Sequence, residues 1–269
     1  MARTQQLKDS TFKEAPLIDH LEELRWRIIW AVVAWMVGTG VTFNFLPFVS
    51  DLLKRPLDVY ANGRKFELVQ LRIAEGFTTS FVIAAAGGIV LAMPFVLYQL
   101  WAFIAPGLTK RERGYAIPFI FGSLLAFAAG LSFAYFVALP FALPFLLSFF
   151  PGVKVSLQLS DYIGDIITPL VMFGLLFQLP VLMFLLAKIS IISSKFFIAQ
   201  RRIAVFAIVI LAALVTPTTD PVNLAVSAVP LILLYEIGIL LAKLAESQNA
   251  RTARREAAAA AITDDDFDD

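Results

Sequence analysis

Six runs free of Asp, Glu, Lys and Arg divide the chain: 28–50, 76–109, 114–153, 166–187, 203–219 and 221–235, the last continuing to 242 apart from Glu236. A helix needs about 20 mostly apolar residues to cross a hydrocarbon layer about 30 Å thick. The pattern therefore predicts membrane spans at about 28–49, 77–105, 115–139, 162–187, 203–216 and 221–243. An amphipathic pattern precedes them. In EAPLIDHLEELRWRI (14–28), Leu17, Leu21, Leu24 and Ile28 share one helical face and Pro16 suits a first turn, so an interfacial helix running into the first span is expected. His20, Glu23 and Arg27 fall on another face, with Glu23 and Arg27 spaced for an ordinary i, i+4 ion pair.

Charge placement orients the spans. Of 22 Lys and Arg, 16 lie before the first run, in 110–113, in 188–202 or after 242. Basic loops stay cytoplasmic, so an even number of spans separates these clusters. One span in 114–153 satisfies this and two do not, which gives six spans with both termini cytoplasmic. The loop 51–75, with Lys54, Arg55, Arg64, Lys65 and Arg72, is the exception. The surplus around Pro140, Pro144 and Pro151 then reads as an outer cap beyond the third span. The fifth span has only 13 residues between Arg202 and Thr216-Pro217, roughly 20 Å at 1.5 Å per residue. The sixth, between Asp220-Pro221 and Lys243, carries Pro230 and is also short. Such a pair is either a hairpin packed behind longer helices or a locally thinned membrane region.

Composition agrees. Residues AVILMFWYC make up 59% of the 269 positions and charged residues 16%, against about 25% charged in soluble proteins. The whole of 1–244 reads as one all-α polytopic domain, with 1–27 as its cytoplasmic N-terminus, 1–13 loose and 245–269 a disordered, Ala-rich and acidic cytoplasmic tail. The first apolar run starts only after Glu22 and Glu23, unlike a cleavable signal. With no cysteine and one histidine, disulfides, thiolate metal sites, His-cluster metals and Cys nucleophiles are excluded. P-loop, H-E-x-x-H and G-x-S-x-G motifs are missing, so neither enzyme activity nor a cofactor is expected.

The remaining candidates are polar residues in costly places. Glu112, between Arg111 and Arg113, is an ordinary surface charge on spacing alone. Its neighbourhood is less ordinary: Pro94 is expected to kink the second span, Tyr98, Gln99, Trp101 and Phe103 form an aromatic end, and Pro106-Gly107 breaks the helix. Gln178, ahead of Pro180, is a mid-membrane amide that faces protein or water, with helix–helix glue as the plain account. Glu236 could snorkel or pair with Lys243. Asp220 caps the sixth helix by default, and Asp161 and Asp165 begin the fourth span in the same way. Pro56 in the first external loop is a further structural proline. A proton-coupled solute transporter would use Glu236 and Gln178, but no internal or inverted repeat supports it.

In order along the chain, these segments resemble one family. His20-Leu21-Glu22-Glu23-Leu24-Arg25-Trp26-Arg27 is similar to the H-L-x-E-L-R-x-R opening of TatC, the multispanning subunit of the twin-arginine protein translocase. Leu97 to Leu108 (LYQLWAFIAPGL) with Lys110-Arg111-Glu112-Arg113 resembles its L-Y-Q-x-W-x-F-x-x-P-x-L…E-[RK] block. Phe173 to Pro180 (FGLLFQLP), Thr216-Pro217…Asp220-Pro221 and Leu234-Tyr235-Glu236-Ile237-Gly238 resemble its fourth-span, hairpin and sixth-span motifs. The resemblance implies a cupped six-helix fold in the prokaryotic cytoplasmic (inner) membrane. It implies a receptor for twin-arginine signal peptides of folded precursors, working with single-span TatA/TatB-type subunits, oligomeric in the complex and powered by the proton gradient. It assigns signal recognition to Glu23 and Glu112, with Arg25, Arg27 and Phe103 at the motif's other positions, and partner docking to the region of Thr216, Asp220 and Val222. Gln178 stands where some members have Glu, and Leu224 where Gln is common.

Overall fold

The computed structural model describes the backbone of residues 2–60, 66–107, 114, 116–148, 156–215 and 220–265. In chain order the helices are α1 (Ala2–Asn44), α2 (Leu46–Tyr60), α3 (Glu75–Ile104), α4 (Ala116–Phe133), α5 (Leu139–Ser148), α6 (Leu159–Leu176), α7 (Leu179–Lys188), α8 (Ser194–Ala199), α9 (Arg201–Val215) and α10 (Pro221–Asp265). Two three-residue strands, β1 (Glu67–Val69) and β2 (Ser156–Gln158), pair in parallel with Glu67 opposite Ser156 and Val69 opposite Gln158. Nothing in the apolar pattern announces this pair.

Among the described residues, five helical segments are long and apolar enough to cross a membrane: Asp19–Asn44, Glu75–Ile104, Ala116–Phe145, Leu159–Lys188 and Pro221–Arg254. The expected fifth span corresponds to α9, whose 15 residues rise only about 22 Å. It is as short as the sequence predicts, and too short to qualify on length. The expected short sixth span is not found: α10 has 45 residues. Its helix passes Pro230 and Glu236 and continues through the segment read as a disordered tail, because Ala, Arg, Glu and Gln there are strong helix formers. The N-terminal residues read as loose are likewise helical from Ala2.

The third span also outruns its expected end at 139. A π-helical turn, Ala134–Ala138, joins α4 to α5 without a break, so Pro140 and Pro144 ride inside the helical path rather than in an outer cap. Pro140 has no N–H to offer the Phe136 carbonyl four residues back, and the π turn re-registers the ladder there. Pro151 lies outside the described residues. Pro94 sits inside α3, which runs through it as one helix. Pro106 falls in the 3₁₀ turn Ala105–Gly107 that ends this segment, as expected. Pro56 is carried within α2 and is fully buried.

The chain forms two compact units. In the first (1–51 and 74–124), α1 and α3 pack at unusually short range. A Cβ on Gly38 would lie 2.8 Å from the Gly88 carbonyl oxygen, and one on Gly88 2.7 Å from the Thr39 backbone nitrogen. Only residues without side chains allow two backbones so close. Trp35 donates its indole N–H to the Ala85 carbonyl (2.9 Å), and Thr42 satisfies its buried hydroxyl on Gly38 O (2.8 Å).

In the second unit (52–73 and 125–269), Phe173, Ile163, Ile166, Leu139, Leu185 and Leu231 are fully buried. Gly130 meets the Phe173 backbone, where a Cβ would stand 2.5 Å from the carbonyl oxygen. Tyr162 and Tyr135 donate to the Leu53 and Leu52 carbonyls (2.9 and 3.0 Å), giving the middle of α2 hydrogen-bond partners from α6 and the π turn. Helix α7 ends in a Schellman motif: Ile191 N–H reaches Leu186 O, Ser190 N–H reaches Ala187 O, and Ser190 takes φ 59°. Glycine is the usual occupant of that left-handed position.

Candidate functional site

Within the first unit, the start of the apolar part of α1 meets the C-terminal end of α3 in a small polar and aromatic cluster. Glu23 and Arg27 are one helical turn apart, which brings their side chains together. Arg27 donates Nε–H to Glu23 Oε1 at 3.0 Å, and its Nη2 also reaches that oxygen. The same guanidinium donates from Nη1 to Gln99 Oε1 on α3 at 3.3 Å. His20 places Nδ1 3.5 Å from Glu23 Oε2 and stacks its ring on Phe103, with centroids 4.3 Å apart and planes within 9°. Glu23 lies ahead of the apolar run that begins at Ile28. Hydrogen bonds from Arg27 hold its carboxyl below the ordinary range, against the partial burial that pushes the other way.

The plain reading of the Glu23–Arg27 spacing is therefore realised, and the structure adds two neighbours that spacing left out. Gln99 and Phe103 are four residues apart on α3, so both face α1 from one side; that i, i+4 relation was the available signal. Arg25 is exposed, and Phe103 is half-buried. Glu112 lies outside the described residues.

The intramembrane candidates are not gathered into one site. Gln178 sits in the turn between α6 and α7: its N–H reaches Leu175 O (3.0 Å) and its carbonyl accepts from Leu182 N–H (2.9 Å). Pro180 follows within the first turn of α7, where a missing N–H costs nothing, and it is buried. Glu236 pairs with Arg201 of α9 at 2.8 Å, not with Lys243 on its own helix. Asp220 caps α10 as expected, accepting from the Asn223 N–H (2.8 Å) and side-chain amide (2.7 Å). Asn223 and Ser227, both 2% exposed, continue this polar face inward and were not singled out from the sequence. Val222 is exposed, and Thr216 lies outside the described residues.

A second polar network in the same unit also escaped sequence reasoning. Glu246, near the middle of α10, accepts from Ser194 N–H (2.6 Å) and Ser194 Oγ–H (2.5 Å) at the start of α8. Asn249 donates to Lys188 O (2.8 Å), and Tyr235 to Phe197 O (2.8 Å). Three residues of α10 thus hold the segment 188–199. Among the described residues, no group of His, Cys, Asp and Glu could bind a metal.

Comparison with known proteins gives this arrangement a family. The family model described as "Sec-independent protein translocase protein (TatC)" matches residues 19–230. A protein of that name from Deinococcus radiodurans is 44% identical over 233 residues, covering 85% of this chain and 86% of the relative. A chloroplastic one from Arabidopsis thaliana is 39% identical over 246 residues, covering 90% and 70%. A crystal structure titled "Twin Arginine Translocase Receptor- TatC" superposes with a TM-score of 0.75 at 35% identity, over 84% of this chain and 99% of that one. The first four long apolar helices, the opening motif around Glu23 and the end of α3 fall within the matched range, and the chain belongs to the TatC family, protein translocase components that are not enzymes.

Proposed function

We propose that this chain is the signal-receiving core of a twin-arginine protein translocase, taking the signal peptides of folded precursors at the α1–α3 cluster. The observation that carries the reading is the partly exposed Glu23 carboxylate, already holding one guanidinium, with an aromatic ring and an amide from α3 beside it, in a chain 35% identical to a solved twin-arginine translocase receptor. A guanidinium has a fixed charge and a planar donor fork that suits a carboxylate, and an ammonium lacks the fork. Glu112 supplies the second acid, and Arg25, Arg27 and Phe103 complete the surface. The rival solute-transporter reading needs Glu236 as a proton site, and that carboxylate is engaged by Arg201.

The experiment is binding of a twin-arginine peptide to the purified chain, with a twin-lysine control. Glu23→Ala or Glu112→Ala should weaken binding about ten- to a hundredfold, as losing charge-assisted hydrogen bonds worth roughly 1.5–3 kcal/mol would. Unchanged affinity in both variants would remove the carboxylate model.

In this reading α9 is a sixth membrane segment, both termini are cytoplasmic, and the protein resides in the prokaryotic inner membrane. The edge formed by α9 and the start of α10 docks a single-span TatA/TatB-type partner near Thr216, Asp220 and Val222. Ile203, Phe206, Ile210 and Leu214 support this, all exposed along one face of α9, a helix too short to cover the hydrocarbon depth by itself. Single cysteines in this Cys-free chain test both points. Position 195 should label from the cytoplasmic side and 219 from outside, and positions 205–225 should crosslink a partner span better than 120–135. Outside labelling at 195 sinks the topology, and equal crosslinking from 120–135 sinks the docking edge.

A further inference from the structure

Two arginines beside a carboxylate that is to receive arginines pose an electrostatic problem. Glu23 and Arg27 together carry no net charge, and Arg25 adds a positive one nearby. A second guanidinium brought to Glu23 would be attracted by the acid and repelled by Arg27 at similar range, and the two contributions nearly cancel. Adding an arginine to the cluster as it stands is therefore weakly favoured at best. Replacing one is a different matter.

We propose that Arg27 is a resident stand-in for the incoming arginine, displaced from Glu23 when a signal binds. The proposal rests on the signal-receptor reading above and gives Arg27 the opposite sign from a contact residue. All three guanidinium nitrogens of Arg27 are already used, two converging on Glu23 Oε1 and the third on Gln99 Oε1. The resident thus makes the kind of contact an incoming guanidinium would make. Its side chain is 23% exposed, beside a Glu23 that is 32% exposed, so the pair is open to water and the long Arg stem can swing away. Gln99 offers the freed guanidinium a neutral acceptor already within reach. The His20 imidazole, 3.5 Å from Oε2 and stacked on Phe103, stays beside the carboxylate while its partner on Oε1 changes.

An incoming arginine replaces like with like: donors released by Arg27 are matched by donors gained. An incoming lysine is a single ammonium on a flexible stem and cannot supply two converging N–H groups from one plane. Releasing Arg27 costs the same for either cation, so the resident lowers both affinities by one factor, and the choice between them rests on the fork alone.

The test is peptide binding to the full chain in lipid nanodiscs, using twin-arginine and twin-lysine signal peptides against Arg27→Gln, Arg27→Lys and Glu23→Gln. Arg27→Gln should bind the twin-arginine peptide about three- to fivefold more tightly, the scale of a half-exposed ion pair. Its affinity for the twin-lysine peptide should rise by a similar factor, so the preference for arginine is kept. Arg27→Lys, which keeps the charge and loses the fork, should fall between wild type and Arg27→Gln. Weaker or unchanged twin-arginine binding in Arg27→Gln, or a gain confined to one of the two peptides, overturns the stand-in. Glu23→Gln separates the two failures. If it binds like wild type, the receptor reading itself falls; if it loses binding while Arg27→Gln gains none, only the stand-in is wrong.

Discussion

Glu23 and Glu246 are both carboxylates on long helices that reach out of the apolar region, and they are finished in opposite ways. Glu246 spends both oxygens on one residue 52 positions away, a buried Ser194 whose N–H and hydroxyl point at it together. A backbone N–H at a helix start cannot leave its place without unwinding the helix, so this contact holds. Glu23 takes its main partner from its own helix, one turn on, through a guanidinium on a flexible stem, and its second oxygen faces the His20 ring at 3.5 Å. Arg27 can move without unwinding any helix. One carboxylate is a fastening and the other is a socket with a removable occupant, and the distinction lies in what the partner is attached to.

Two substitutions sharpen that contrast. Glu246→Ala removes two hydrogen bonds to a charged acceptor and leaves a buried hydroxyl and an α8 N–H without them. The expected loss is about 3 kcal/mol of stability, read as a lower midpoint in denaturant unfolding of the detergent-solubilised protein. A loss below about 1 kcal/mol, within reach of an ordinary surface pair, would show that Glu246 fastens nothing. Glu23→Ala should cost only about 0.3–0.5 kcal/mol, the usual worth of an i, i+4 ion pair, even though in the proposed reading the same change weakens signal binding about ten- to a hundredfold. Because the folded-state pKa of Glu23 is depressed, this contribution is present above the unfolded value and disappears as pH falls through the folded one. A neutral-pH cost comparable to that of Glu246→Ala would make the α1–α3 cluster structural, and the comparison would collapse.

What could be read from the chain follows the range of each interaction. The apolar runs placed the long helices because a bilayer demands length and hydrophobicity within one segment. Glu23 with Arg27, and Asp220 as a cap, were readable because their partners lie three or four residues away. Glu236 shows the limit: Lys243 on its own helix was the visible partner, and Arg201, 35 positions back on α9, is the actual one. The Glu246–Ser194 contact and the β1–β2 pairing join distant segments and leave no local periodicity. The length of α10 was misjudged for another reason. Charges end an apolar run, but they do not end a helix, and the Ala-rich segment carries it on. The π turn that absorbs Pro140 likewise corrects an inference drawn from proline alone.

The close approach of α1 and α3 has a mechanical consequence. With Gly38 against the Gly88 carbonyl and Gly88 against the Thr39 backbone, the helices mesh like a spline in its keyway. Slipping by one residue means about 1.5 Å of travel and 100° of rotation, which would drive neighbouring Cβ atoms into backbone. Tension on α1 therefore passes into α3 without slip, and the pair moves as one rod. A precursor held at the His20–Phe103 end would pull on two membrane-crossing helices at once, and its load would be shared before either helix could be drawn out of register.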